Sequence, residues 1–116
     1  MKANELMIGD WVNSYLDGHP IQLDNERFYT IIKGYNDGIE PIPLTSEILE
    51  KNGGVKDSEY YNNGYIVGNS IGLLIVEDGF EYGYITIRYV HEFQHLLRLC
   101  GLDELADNFK VYVESK

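Results

Sequence analysis

The chain has 116 residues, 44% of them hydrophobic, and sets 19 acidic against 9 basic side chains for a formal charge of -10. That length suits one domain able to bury roughly two thirds of its unfolded surface. The cations (Lys2, Arg27, Lys33, Lys51, Lys56, Arg88, Arg98, Lys110 and Lys116) are scattered singly rather than gathered into a stripe that would neutralise phosphates, which argues against direct binding to DNA or RNA.

The opening Met1-Lys2-Ala3-Asn4-Glu5 lacks the uninterrupted apolar core of a signal peptide, and no stretch has the length to span a bilayer. A cytoplasmic location without a membrane partner is the expectation. Cys100 is alone, which rules out an intramolecular disulfide, and its apolar helical surroundings predict a small buried hydrophobe.

In chain order, Ile8-Gly9-Asp10 leads into a strand over Trp11 to Leu16, closed by the Asp17-Gly18 turn, with Ile21-Gln22-Leu23 returning beside it. Phe28 to Tyr35, rich in aromatic and β-branched residues, reads as a further strand reversing at Asn36-Asp37-Gly38 into Ile39 to Ile42. These pieces form a small meander, barrel-like in outline. Pro41-Ile42-Pro43-Leu44 is held extended, and Thr45 caps a short helix over Ser46 to Asn52 that Gly53-Gly54 ends; Ile48 and Leu49 are its buried face, making it a lid on the meander.

Strand chemistry resumes at Tyr60-Tyr61, an Asn63-Gly64 turn, Tyr65 to Val67, Ile71 to Val76, an Asp78-Gly79 turn, and one strand over Phe80 to Arg88 with Tyr82, Tyr84 and Thr86 on one face. The longest helix covers Tyr89 to Cys100 and stops at Gly101, a short turn follows over Leu102 to Asn108, and Phe109 to Val113 reads as a final strand. The expected fold is α+β: a small antiparallel β meander, barrel-like in the N-terminal part, plus an antiparallel sheet packed by a short central helix and a longer C-terminal one. No repeat or linker divides it, so residues 1–116 form a single domain.

One string carries catalytic chemistry. His91 and His95, four apart on a helix, share a face, and Glu92 completes the H-E-x-x-H pattern of zinc proteases in which Glu is the general base. At about 100° per residue, Tyr89, Val90, Leu96, Leu97 and Cys100 cluster around Phe93, whereas His91, His95 and Arg98 fall on the opposite side, facing solvent or a partner. Arg98 beside the imidazoles opposes capture of a divalent cation. For a third ligand, Glu114 lies 19 residues after His95 but follows a strand-like run, and Asp103, Glu104 and Asp107 sit naturally in the turn after Gly101.

Three stretches, Lys2-Ala3-Asn4-Glu5-Leu6 with Ile8-Gly9-Asp10-Trp11-Val12, Pro41-Ile42-Pro43-Leu44-Thr45 with Glu47, and Tyr89-Val90-His91-Glu92 with Gln94 and Leu96, together resemble a family of short uncharacterised proteins of Bacteroides-group gut bacteria, their phages and their prophages. The family's helix pattern runs Tyr-Val-His, then Glu or Gln, Leu, Gln, Asn, Leu, which makes Phe93 and His95 departures from it. The resemblance implies a helix kept for packing or contact rather than for metal, and no known activity.

With no P-loop, no Ser-His-Asp spacing and no basic patch, the leading expectation is a non-catalytic accessory protein of phage or prophage type, without a cofactor, acting by contact with an unknown protein partner. The alternatives are a minimal zinc-dependent hydrolase using His91, Glu92 and His95, and an acidic inhibitor that mimics nucleic acid.

Overall fold

The computed structural model describes residues 5–14, 17–32, 39–57, 64–68 and 71–111. Among them, Trp11–Ser14 (β1), His19–Gln22 (β2) and Ile39–Glu40 (β3) form an antiparallel sheet in the order β2-β1-β3. The strand is entered through a tight turn in which Asp10 N–H donates to the Met7 carbonyl at 3.1 Å and Met7 N–H to Asp10 Oδ2 at 2.8 Å. Gly9 takes the positive φ of 97° that the third position of such a turn requires. Val12 pairs with Ile21, as the return of residues 21–23 beside the first strand demands.

Phe28 to Tyr35 departs from expectation: residues Asn25–Ile32 form a helix (α1), and 33–38 lie outside the described residues. The local cap overrides the β-branched composition, because Asp24 Oδ1 accepts the Arg27 N–H at 2.8 Å and the Asp24 carbonyl accepts the Phe28 N–H at 2.9 Å. With a helix in place of a strand, the three-stranded sheet stays open and is not a barrel. Leu6, Val12, Leu23 and Ile39 make its own small core, with Ile21 and Phe28 packed against it.

The prolines hold residues 41–44 extended beside the start of the long helix: Pro43 bridges Tyr89, Leu44 N–H donates to the Arg88 carbonyl, and Val90 N–H to that of Ile42. Ser46–Lys51 (α2) begins as expected, with Thr45 Oγ1 accepting the Ile48 N–H at 3.2 Å. Its buried Ile48 and Leu49, however, belong to the main core and not to the N-terminal meander, so α2 is no lid on that sheet.

The second sheet is antiparallel in the order β4-β5-β6-β7-β8, from Val55–Asp57 (β4), Gly64–Val67 (β5), Ile71–Val76 (β6), Gly79–Tyr82 (β7) and Ile85–Ile87 (β8). Tyr60, Tyr61 and Asn63 lie outside the described residues. Residues 80–88 are a hairpin rather than one strand: Tyr82 pairs with Ile85 around Gly83, at φ 62°, and Tyr84. Tyr84 is therefore at a turn and shares no strand face with Tyr82.

Val90–Leu99 (α3) lays Val90, Phe93, Leu96 and Leu97 on the sheet, against Val67, Ile71, Leu73, Phe80 and Ile87. After Gly101 the chain turns into Asp103–Asp107 (α4). Cys100 is exposed, contrary to its apolar surroundings in sequence, because it lies past the last buried turn of α3. The expected final strand fails over residues 109–111. The Asn52 side chain takes both backbone groups of Lys110 at 2.7 Å, a satisfaction by side chain that leaves no ladder to form, while Phe109 and Val111 are buried; residues 112–116 lie outside the described ones. Among the described residues no helix is long and apolar enough to cross a membrane.

Candidate functional site

The histidine face of α3 does not look to solvent. Asp10 and Ile8 of the turn from Met7 to Asp10 meet His95 and Arg98, while His91, beside Tyr89 and Pro41, is 6% exposed and His95 is half-buried. The helical projection placed Val90, Phe93, Leu96 and Leu97 on the core side as found, but it also put the exposed Cys100 there and the buried His91 on the open side, because what packs on the far side is distant in sequence and helical periodicity carries no information about it.

Asp10 is fully buried and organises this contact. Its Oδ2 accepts the Met7 N–H at 2.8 Å and Nε2 of His95 at 2.7 Å, and its Oδ1 accepts from Arg98 at 3.3 Å. Arg98 also pairs with Asp107 at 3.2 Å. The guanidinium is thus tied to two carboxylates and is not a bare positive charge beside the imidazoles. A buried carboxylate held by one backbone N–H and two side-chain donors meets the condition under which a buried charge is tolerated.

Gln94, adjacent to the histidines and fully buried, completes the clamp. Oε1 accepts the Trp11 N–H at 2.9 Å, and Nε2 donates to the carbonyls of Gly9 at 2.8 Å and Ala106 at 3.0 Å. The Trp11 indole donates to the Phe109 carbonyl at 2.7 Å. One glutamine therefore joins β1, α3 and α4. Neither Asp10 nor Gln94 stood out as a site residue in the sequence. The available signal for Gln94 was its position four residues after Val90 and three before Leu97, which makes it a polar side chain on a buried face.

Glu92 lines one cavity with His91 and His95 and also caps α3. Its carboxylate accepts the backbone N–H groups of Arg88 at 2.8 Å and Tyr89 at 3.2 Å, closing the N-terminus of α3. Asp103 and Glu104 are exposed, Asp107 is paired to Arg98, and Glu114 lies outside the described residues. Among the described residues no three His, Cys, Asp or Glu side chains converge to hold a metal ion.

Among the described residues, two concave surfaces beside α3 bear on the site. The first, of about 320 Å³, is lined by Glu5, Pro41, Tyr89, His91, Glu92 and His95. Here Tyr89 stacks on His91 with ring centroids 6.1 Å apart, and His91 meets His95 edge-on at 5.7 Å. Nδ1 of His91 is sealed from solvent without a hydrogen-bond partner. Burial pushes this imidazole below the usual histidine range, with Asp10 acting in the opposite direction.

The second, of about 200 Å³, lies between β8 and α3, where Ile85, Ile87, Leu96 and Leu99 line it beside Glu92 and His95. Ile85 is 57% and Leu99 85% exposed, and Tyr84 at the adjoining turn is fully exposed. No protein-family model, curated protein or solved structure matches this chain.

Proposed function

We propose that this chain is a non-catalytic accessory protein of phage or prophage type that works by contact with a protein partner, through the apolar groove between β8 and α3. The observation that carries the reading is the coincidence of Ile85 and Leu99, two large exposed aliphatic side chains, in one groove at the edge of a sheet. Single exposed apolar residues are ordinary, but a grouped apolar surface costs solubility and is characteristic of contact sites.

The position of the groove adds to this. Strand β8 is the last in its sheet, and an edge strand offers backbone groups to an incoming extended segment whose side chains would enter the groove. Engagement of Glu92 Oε1 at the α3 N-terminus supports a structural role for this side chain over that of a general base. The phage or prophage setting is supported by the resemblance of the three sequence stretches alone.

The test is co-purification from the native host. A partner retained by the wild-type chain should be lost by at least tenfold with Leu99→Asp combined with Ile85→Asp. Retention of the same partner at wild-type yield by a folded double variant would overturn the proposal.

A further inference from the structure

Tyr82 pairs with Ile85 across the two-residue turn of Gly83 and Tyr84, so Ile85 and Ile87 direct their backbone N–H and C=O groups to β7. Thr86 and Arg88, at the alternate positions, direct theirs to the open edge of the sheet. Arg88 bears out this parity, since its carbonyl accepts the Leu44 N–H at 2.9 Å and its N–H is taken by Glu92 Oε1 at 2.8 Å. Among the described residues the outward backbone groups of Thr86 have no such partner, and Thr86 lines the apolar groove between β8 and α3. We propose that the occupant of this groove is the free amino terminus of a partner protein, added to β8 as a short antiparallel strand with its α-ammonium beside Glu92, a proposal that rests on the reading of the groove as a contact surface.

The edge is closed at one end. Leu44 stands beside Arg88, and beyond it Thr45 caps α2, whose Ile48 and Leu49 carry the chain into the main core. An added strand therefore has room beside Ile85, Thr86 and Ile87 and stops at Arg88. Along the facing helix, Glu92 to Leu99 rises about 10 Å at about 1.5 Å per residue, which about three extended residues span.

Charge sets the polarity. At the closed end stands the carboxylate of Glu92, drawn onto the edge by the N–H groups of Arg88 and Tyr89. The imidazole of His95, also in the groove, is bound through Nε2 to the buried Asp10 carboxylate. A chain end meeting Glu92 is held if it is an ammonium and repelled if it is a carboxylate, and the formal charge of -10 acts in the same sense. In an antiparallel ladder, which continues the order of this sheet, the amino end is the one that reaches Arg88. The first residue of the terminus then lies opposite Ile87, the second exchanges two hydrogen bonds with Thr86, and the third, opposite Ile85, directs its side chain towards Leu96 and Leu99. The same closure rejects a second copy of this chain paired through β8 about Thr86, because Tyr84 of one copy would fall where Leu44 lies beside Arg88 of the other.

The probe is the hexapeptide amide Val-Thr-Leu-Thr-Val-Thr with a free amino terminus and a fluorophore at its other end. It is titrated by anisotropy against the full chain at pH 7.0, below the α-amino pKa of about 7.7–8.0. The expected result is saturable binding with Kd of about 1 mM or tighter. Acetylation of the peptide should weaken it at least tenfold, as should Glu92→Gln, which keeps an oxygen acceptor for both N–H groups. Thr86→Pro, which removes an outward N–H and is tolerated on an edge strand, should do the same. N-methylation of the second peptide residue removes the bond to the Thr86 carbonyl without altering the protein and should weaken binding equally, whereas N-methylation of the third, whose N–H points away from β8, should not. Equal affinity of the free and acetylated peptides overturns the amino-terminal assignment. Absence of binding at about 1 mM, or binding indifferent to Thr86→Pro and to both methylations, overturns strand addition, as does a dimer of the chain alone that Thr86→Pro dissociates. A host partner released by the Ile85 and Leu99 substitutions but retained by Thr86→Pro leaves the groove a contact surface and removes the strand.

Discussion

The Gln94 side chain, buried in α3, accepts the backbone N–H of Trp11 at 2.9 Å across 83 residues of sequence. Two further hydrogen bonds, to the carbonyls of Gly9 and Ala106, make this one amide the junction between the N-terminal sheet and the C-terminal helices. Replacing it by Leu leaves the Trp11 N–H without its partner and takes one of the hydrogen bonds from each of two carbonyls, since Gly9 O also accepts from Gln22 Nε2 at 2.9 Å and Ala106 O from the Phe109 N–H at 3.4 Å. At about 1–3 kcal/mol for the one unsatisfied donor, Gln94→Leu should cost about 1–3 kcal/mol, measured as a lower urea midpoint. A cost under about 1 kcal/mol would show that the junction is not held by Gln94.

Asp10 makes a parallel prediction with a different signature. Asp10→Asn keeps the volume but removes the charge that His95 and Arg98 share. The loss should be about 2–4 kcal/mol, since breaking a buried pair strands its partners. Arg98→Met made in the Asp10→Asn background should cost much less than in the wild type, which a double-mutant cycle reads directly.

His91 gives stability a pH dependence of known sign. Burial lowers its pKa in the folded chain below the ordinary histidine value, against the attraction of Asp10, Glu92 and Glu5 and with the repulsion of His95. Between the folded value and about 6.5 the unfolded chain therefore holds more protons. The stability contribution is complete above about pH 6.5 and is lost as the pH falls through that value towards the folded pKa. Denaturant unfolding from pH 8 to 5 should show this decline, and His91→Gln should flatten it. An unchanged slope in the variant would remove His91 as the cause.

Gly79 tests the hairpin that sequence alone did not resolve. A Cβ there would lie 2.5 Å from the Ile87 carbonyl oxygen, a backbone atom with little freedom to move. Gly79→Ala should destabilise by about 1–3 kcal/mol through displacement of β8 from β7. Faster amide hydrogen exchange in residues 85–87 would locate the effect.

What the sequence made legible was local. Thr45 before Ser46-Glu47 marked the start of α2, and Gly101 marked the end of α3, because a cap is written in adjacent residues. Competing local signals were harder to weigh. Phe28 to Ile32 favours a strand by composition, yet Asp24 three residues before Arg27 caps a helix and prevails. The least legible features were those made by distance in sequence: the burial of His91, the tie between Asp10 and His95, and the side-chain satisfaction of Lys110 by Asn52. Each depends on a partner that no spacing rule connects.

The proposed contact surface is tested most directly by placing a photoreactive amino acid at position 99 and irradiating cells of the native host. Leu99 is 85% exposed, so its replacement should alter stability by no more than about 0.5 kcal/mol. A discrete protein adduct formed from position 99, and absent when the probe stands at the exposed Glu47 on α2, is the result expected of a groove that binds a partner. No adduct at position 99, or the same adduct at equal yield from position 47, would contradict it.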